Sequence, residues 1–81
     1  MKIKYFAWIK EITSSEEEQI DSKEINNLDK LKKFIISKYP DLKKHLDQEN
    51  LRFAVNQEYV LENIDLKKDD EIAIFPPVSG G

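Results

Sequence analysis

The two glycines of this chain stand side by side as its last two residues, Gly80 and Gly81. Glycine makes up about 7% of an average protein, and a terminal pair arises by chance in roughly one sequence in 200. None remains for turns inside the folded part, where Asn and Asp take its place. Glycine is thus absent where backbone freedom would help a fold and present where no packed element needs it. The approach to the pair is ordered: a strand pattern over 71–75, then Pro76-Pro77, then Val78-Ser79-Gly80-Gly81. The prolines stiffen the exit from the strand. Extended, the residues from Pro77 onward reach about 17 Å. A terminus without side chains can thread a narrow tunnel. The group it would carry there is the main-chain carboxylate of Gly81, so the pattern points to delivery of a carboxylate into another protein's active site.

Other chemistries find little support. The chain has no cysteine, which removes disulfides and any thiol mechanism of its own. It has one histidine, His45, read as a surface residue, and no Cys/His cluster for a structural metal. Asp69, Asp70 and Glu71 read as a solvated turn rather than a metal site. The net charge of −3 gives no basic footprint for nucleic acid. No apolar run approaches the roughly 20 residues of a membrane helix. Met1 to Phe6 alternates in polarity like a strand, not like a signal peptide. A cytoplasmic location is therefore expected, with neither a nucleic acid nor a membrane as partner.

The elements that must position the tail fit one small domain of 81 residues. Lys2 to Ala7 is a predicted strand, with Ile3, Tyr5 and Ala7 on one face and Lys2, Lys4 and Phe6 on the other. Trp8 to Thr13 reads as a short helical turn. Glu16 to Asp21 is a weak strand, since consecutive glutamates have poor strand propensity. Asn27 is the expected N-cap of the main helix, and Asp29 suits its positive end. Leu28, Leu31, Phe34, Ile35 and Tyr39 fall within an arc of roughly 140° and form its core face. Pro40 ends that helix and starts a turn through Leu42 and Leu46. Leu51 to Val55 alternates as a strand, Asn56-Gln57-Glu58 turns, and Tyr59 to Leu61 returns. Lys67 to Asp70 turns again before the last strand, Glu71 to Phe75, in which Ile72 and Ile74 face the core. The pattern is α+β, a mixed sheet of four to five strands with one main helix across it. The expected division is a folded domain over 1–76 and a tail over 77–81.

The chain resembles the small subunits of molybdopterin synthase, which are ubiquitin-like sulfur carriers of the β-grasp fold. The resemblance rests on Tyr5-Phe6-Ala7 followed by Ile9-Lys10-Glu11-Ile12, on Ala54-Val55-Asn56-Gln57, and above all on the run from Asp70 through Phe75-Pro76-Pro77-Val78-Ser79 to Gly81. It departs from the family at Asp69, where glycine is usual, which makes the geometry of that turn an open question.

The resemblance implies that an adenylating enzyme uses ATP to activate Gly81, and that a persulfide donor then converts it to a thiocarboxylate. The tail would next insert into the large synthase subunit, within a heterotetramer, and give its sulfur to cyclic pyranopterin monophosphate to form a dithiolene. No permanently bound cofactor is implied. Gly80 would be a steric requirement of the tunnel, with Ser79 beside it in the tail. Phe6 and Phe75 lie on strand faces opposite the predicted core, and the resemblance places them with Tyr59 and Lys10 at the large-subunit interface. Related carriers serve thiazole synthesis or transfer-RNA thiolation, and ubiquitin-like modifiers end in the same Gly-Gly; the Phe75-Pro76-Pro77-Val78 run favours molybdopterin.

Overall fold

A computed structural model describes residues 1–21 and 23–77. Its elements run in the order β1 (Lys2–Tyr5), α1 (Trp8–Thr13), β2 (Glu17–Gln19), α2 (Leu28–Lys38), a 3₁₀ turn (Pro40–Leu42), α3 (Lys43–Asp47), β3 (Arg52–Val55), β4 (Glu58–Val60) and β5 (Glu71–Phe75). The strands form one five-stranded sheet in the order β2-β1-β5-β3-β4. The central pair, β1 and β5, is parallel, and every other pairing is antiparallel. This is the open mixed sheet of a β-grasp domain, with α2 packed across one face.

The register explains the core. Ile3 pairs with Ile72 and Ile72 with Val55, while Tyr5 pairs with Ile74 and Ile74 with Phe53. Side chains alternate along a strand, so these two cross-strand rows share one face. Leu28, Leu31 and Ile35 of α2 close over them in one buried cluster. Phe34, expected in this core, is only partly buried, with Lys38 Nζ 5.9 Å from its ring centre. Leu42 seals the end of the helix, completely buried in the turn that Pro40 starts.

Asn27 caps α2 as expected, accepting from the Lys30 N–H at 2.8 Å. The remaining free amides of the first turn are met by the β4–β5 connection. Leu28 N–H donates to the Ile64 carbonyl at 2.9 Å, and Asp29 N–H to Asn63 Oδ1 at 2.9 Å. A helix start leaves such donors without intrahelical partners, and here they fasten the long loop that leads into β5.

β2 forms in spite of its glutamates because Glu18 faces inward. Its Oε1 accepts from the Tyr5 hydroxyl and from the Tyr39 hydroxyl at 3.1 Å, and its Oε2 from Lys38 Nζ at 2.5 Å. Partial burial pushes the carboxyl up, but the hydrogen bonds from Lys38, Tyr5 and Tyr39 outweigh it and hold the pKa below the usual range. Burial, reinforced by Glu18, pushes the Tyr5 phenol up. An edge strand is thereby tied to the end of α2 by one carboxylate.

Several expectations are corrected. β1 stops at Tyr5 rather than Ala7, because Ala7 takes φ 56°. β2 is shorter than 16–21, and β4 is Glu58–Val60 rather than 59–61. His45 is half-buried, its ring 4.5 Å from that of Trp8, so it is packed between α3 and α1 rather than free on the surface. The turn at Lys68-Asp69 closes through Asp70 N–H to the Lys67 carbonyl at 3.1 Å, and Asp69 is not among the residues with positive φ. Aspartate therefore carries no left-handed strain there. Val78, Ser79, Gly80 and Gly81, most of the expected tail, lie outside the described residues.

Candidate functional site

The chain reaches its terminal segment through β5, so the site begins with what surrounds the end of that strand. Phe75 is its last residue and faces away from α2, because Ile72 and Ile74 occupy the covered face. Its cross-strand partner on β3 is Arg52. On the next strand, Tyr59 stands opposite Ala54. Phe75 and Tyr59 therefore sit diagonally across β3, and their rings meet edge to face with centroids 5.4 Å apart. Ala54, between them, is only 9% exposed although it points to the open side. Its small side chain leaves room for the rings to close over the strand.

On the other side of β5, Phe6 continues the ladder just beyond β1. Its N–H donates to the Ile74 carbonyl at 3.1 Å, which sets it beside Phe75. Phe6 is 45% exposed and Tyr59 65% exposed. The row Phe6, Phe75, Tyr59 thus crosses the open face from β1 to β4, next to the point where the chain leaves the sheet at Pro76-Pro77. Lys10 lies one turn into α1, after Phe6, with its Nζ 3.8 Å from Glu16 Oε1. Both ends of that ion pair are exposed to solvent, where such pairs contribute little.

The structure therefore brings Phe6, Phe75, Tyr59 and Lys10 to one region. Beyond these, Leu61 is also open to solvent. It is 87% exposed, the most open large apolar side chain among the described residues, and follows β4 two positions after Tyr59.

Polar groups frame the lower half of the open face. Lys4 pairs with Glu71 at 3.3 Å and Lys2 with Glu17 at 3.5 Å. At the β3–β4 hairpin, Asn56 and Gln57 take φ 51° and 71°. Asn56 Nδ2 donates to Asp70 Oδ1 at 2.9 Å, and Glu71 N–H donates to Asn56 Oδ1 at 3.0 Å. Asp70 Oδ2 also accepts from Lys67 N–H at 2.8 Å. This latch fixes where β5 begins. Among the described residues no group of three or more His, Cys, Asp or Glu side chains is placed to hold a metal. No helix among them is long and apolar enough to cross a membrane.

Comparison with known proteins agrees over the full length of the chain. A model of the ThiS family matches residues 3–81. A molybdopterin synthase sulfur carrier subunit from Dictyostelium discoideum is 41% identical over 87 residues, covering 99% of this chain and 94% of that protein. Among solved structures, the complex of subunits 1 and 2 of the molybdopterin-converting factor from Helicobacter pylori contains a chain with a TM-score of 0.69 at 30% identity, with 99% of this chain and 96% of that one covered. Small archaeal modifier protein 1 from Haloferax volcanii superposes with a TM-score of 0.81 at 25% identity, with 100% and 98% covered.

Proposed function

The chain belongs to the ThiS family, and on that premise we propose that it is the sulfur-carrier subunit of a molybdopterin synthase. The observation that carries this reading is the whole-length similarity to relatives bearing that name. The carrier group is the carboxylate of Gly81. A carboxylate is a poor electrophile, so an ATP-dependent activating enzyme first joins it to AMP. The outer sulfur of a persulfide donor displaces the AMP to give an acyl disulfide, and a thiol of the donor then reduces it, forming a disulfide and leaving a thiocarboxylate on Gly81. The tail then enters the large subunit and gives that sulfur to cyclic pyranopterin monophosphate. A dithiolene needs two sulfurs, hence two deliveries. The chain has no cysteine, in keeping with sulfur held on the main-chain terminus rather than on a side chain.

In this reading the row Phe6, Phe75, Tyr59 is the surface that docks the large subunit. Exposed aromatics clustered at one spot suit an interface anchor better than scattered ones do. Their position beside Pro76-Pro77 means that docking also sets where the tail starts. Lys10 is a rim charge, able to exchange Glu16 for an acidic group on the partner.

The similarity to a small archaeal modifier protein favours a second use of the same terminus. Up to the adenylate the chemistry is shared; an amine then replaces sulfur as the nucleophile and the product is an amide. The two uses separate in a reconstituted reaction with the large subunit, activating enzyme, ATP and a persulfide donor. The wild-type chain is expected to support dithiolene formation, and a chain lacking Gly81 is not. Normal dithiolene yield from the deletion would refute the carrier role. Amide-linked adducts without dithiolene would leave only the modifier reading.

A further inference from the structure

The turn from β1 into α1 has a backbone that its sequence does not favour. Ala7 takes φ 56° and ψ −137°. Ser14, the other positive-φ residue bounding α1, has φ 57° and ψ 32°, inside the left-handed island that non-glycine residues visit. The ψ of Ala7 lies far outside that island, in territory where a Cβ is crowded and glycine is the usual occupant. The surroundings hold it there. Ile9 N–H donates to the Phe6 carbonyl at 3.2 Å to close the turn, Phe6 is pinned to Ile74 by the ladder, and Ile9 is fully buried.

Nothing in the fold asks for a methyl group at this position. Ala7 is exposed, and as N-cap of α1 it makes no side-chain hydrogen bond. A glycine would relieve the strain. What the Cβ does is confine the turn. For glycine this region is broad, whereas for a residue with a Cβ it is small. With alanine the turn has one narrow geometry, and the residues on either side, Phe6 before it and Lys10 one turn after it, keep one mutual arrangement.

We propose that Ala7 is a positioning residue for docking, keeping a strained turn narrow so that Phe6 and Lys10 meet the large subunit in a fixed relation. The proposal rests on the docking surface described above. Strain that a single atom deletion would remove is retained next to that surface, and a preorganised surface loses less freedom on binding.

The test uses the full chain and its large subunit, measuring affinity by calorimetry and thermal stability of the free chain in parallel. Ala7→Gly is expected to melt at the same or a higher temperature, yet bind about three- to tenfold more weakly, the range that ordering one or two mobile groups costs. Ala7→Ser keeps the Cβ and is expected to bind within about twofold of wild type, since the confinement of φ and ψ is retained. Wild-type affinity for Ala7→Gly would overturn the proposal. So would a loss for Ala7→Ser as large as for Ala7→Gly, or a lower melting temperature for Ala7→Gly, which would mean that the methyl serves the fold. Phe75→Ala is the control for the surface itself. If it binds as tightly as wild type, the docking reading fails; if it weakens binding while Ala7→Gly does not, only the role of Ala7 fails.

Discussion

Neighbouring residues of β5 belong to opposite sides of one sheet. Ile72 and Ile74 are completely buried beneath α2, whereas Ala73 and Phe75 face the open side and remain partly exposed. The covered face is filled by aliphatic rows that meet a helix, and its side chains answer to the fold. The open face carries ion pairs at the start of β5 and an aromatic row at its end, and α2 does not cover that row. Both faces hold large apolar side chains, so hydrophobicity alone does not separate residues that pack the core from those left open to solvent. What separates them is strand parity and the question of whether a partner inside the chain exists.

The largest effects should break this contrast if it is wrong. Ile74→Ala leaves a cavity between β5 and α2 and should cost about 2–5 kcal/mol of stability by chemical denaturation. Phe75→Ala removes an equally apolar side chain one residue along. It should cost the free domain much less, yet weaken binding to the large subunit by about 2 kcal/mol or more, as for an interface anchor. Equal destabilisation of the free domain by both substitutions would erase the difference between the faces.

The Glu18 cluster sharpens the contrast from the sheet's edge. Its folded pKa lies below the ordinary value of 4.5. The stability it adds is therefore present above about pH 4.5 and is lost as pH falls through the depressed folded value. Melting temperatures of wild type should fall across that acid window, and the acid slope should be shallower for Glu18→Gln. Parallel pH profiles for the two would show that the carboxylate is not what ties β2 to α2.

A smaller effect belongs to the helix start. Asn27→Ala removes the cap on Lys30 N–H and should cost about 1 kcal/mol, read from denaturant midpoints, without altering binding. The smallest is Lys10→Ala. Its exposed pair with Glu16 contributes little to the fold, so stability should stay within about 0.5 kcal/mol. In stopped-flow experiments the variant should associate more slowly, with a weaker salt dependence and little change in dissociation, as for a rim charge.

Much of the fold was legible because local chemistry and tertiary packing agree. β5 was read to its final boundaries from the alternation of Ile72 and Ile74. Asn27 was recognisable as a cap because a short amide before an apolar helical face has few other uses. The turn at Asn56 was readable for the same reason, since Asn tolerates left-handed backbone. The rest depended on distant partners. Glu18 looks like a poor strand former until Tyr5, Tyr39 and Lys38 surround it. His45 has no local motif, and only the packing of α3 against α1 brings it to Trp8. Ala7 carries no sign that it bends against its own preference, because the bend is imposed by the ladder at Phe6 and the burial of Ile9. The expected docking residues rest on family likeness and parity together, and the structure adds that the rings of Phe75 and Tyr59 meet edge to face.

The central claim is that the terminal carboxylate of Gly81 is the working group, and intact mass spectrometry tests it most directly. The chain is incubated with ATP, the activating enzyme and a persulfide donor, beside a variant lacking Gly81 and one extended beyond it. The wild-type chain should exchange one oxygen for one sulfur at its terminus. Neither variant should do so, because a reacting group displaced by even about 1 Å can lose orders of magnitude in rate. Both should still bind the large subunit, since the sheet ends at Phe75. An unchanged wild-type mass under conditions that convert an authentic carrier, or sulfur gained equally by the deletion variant, would contradict the account.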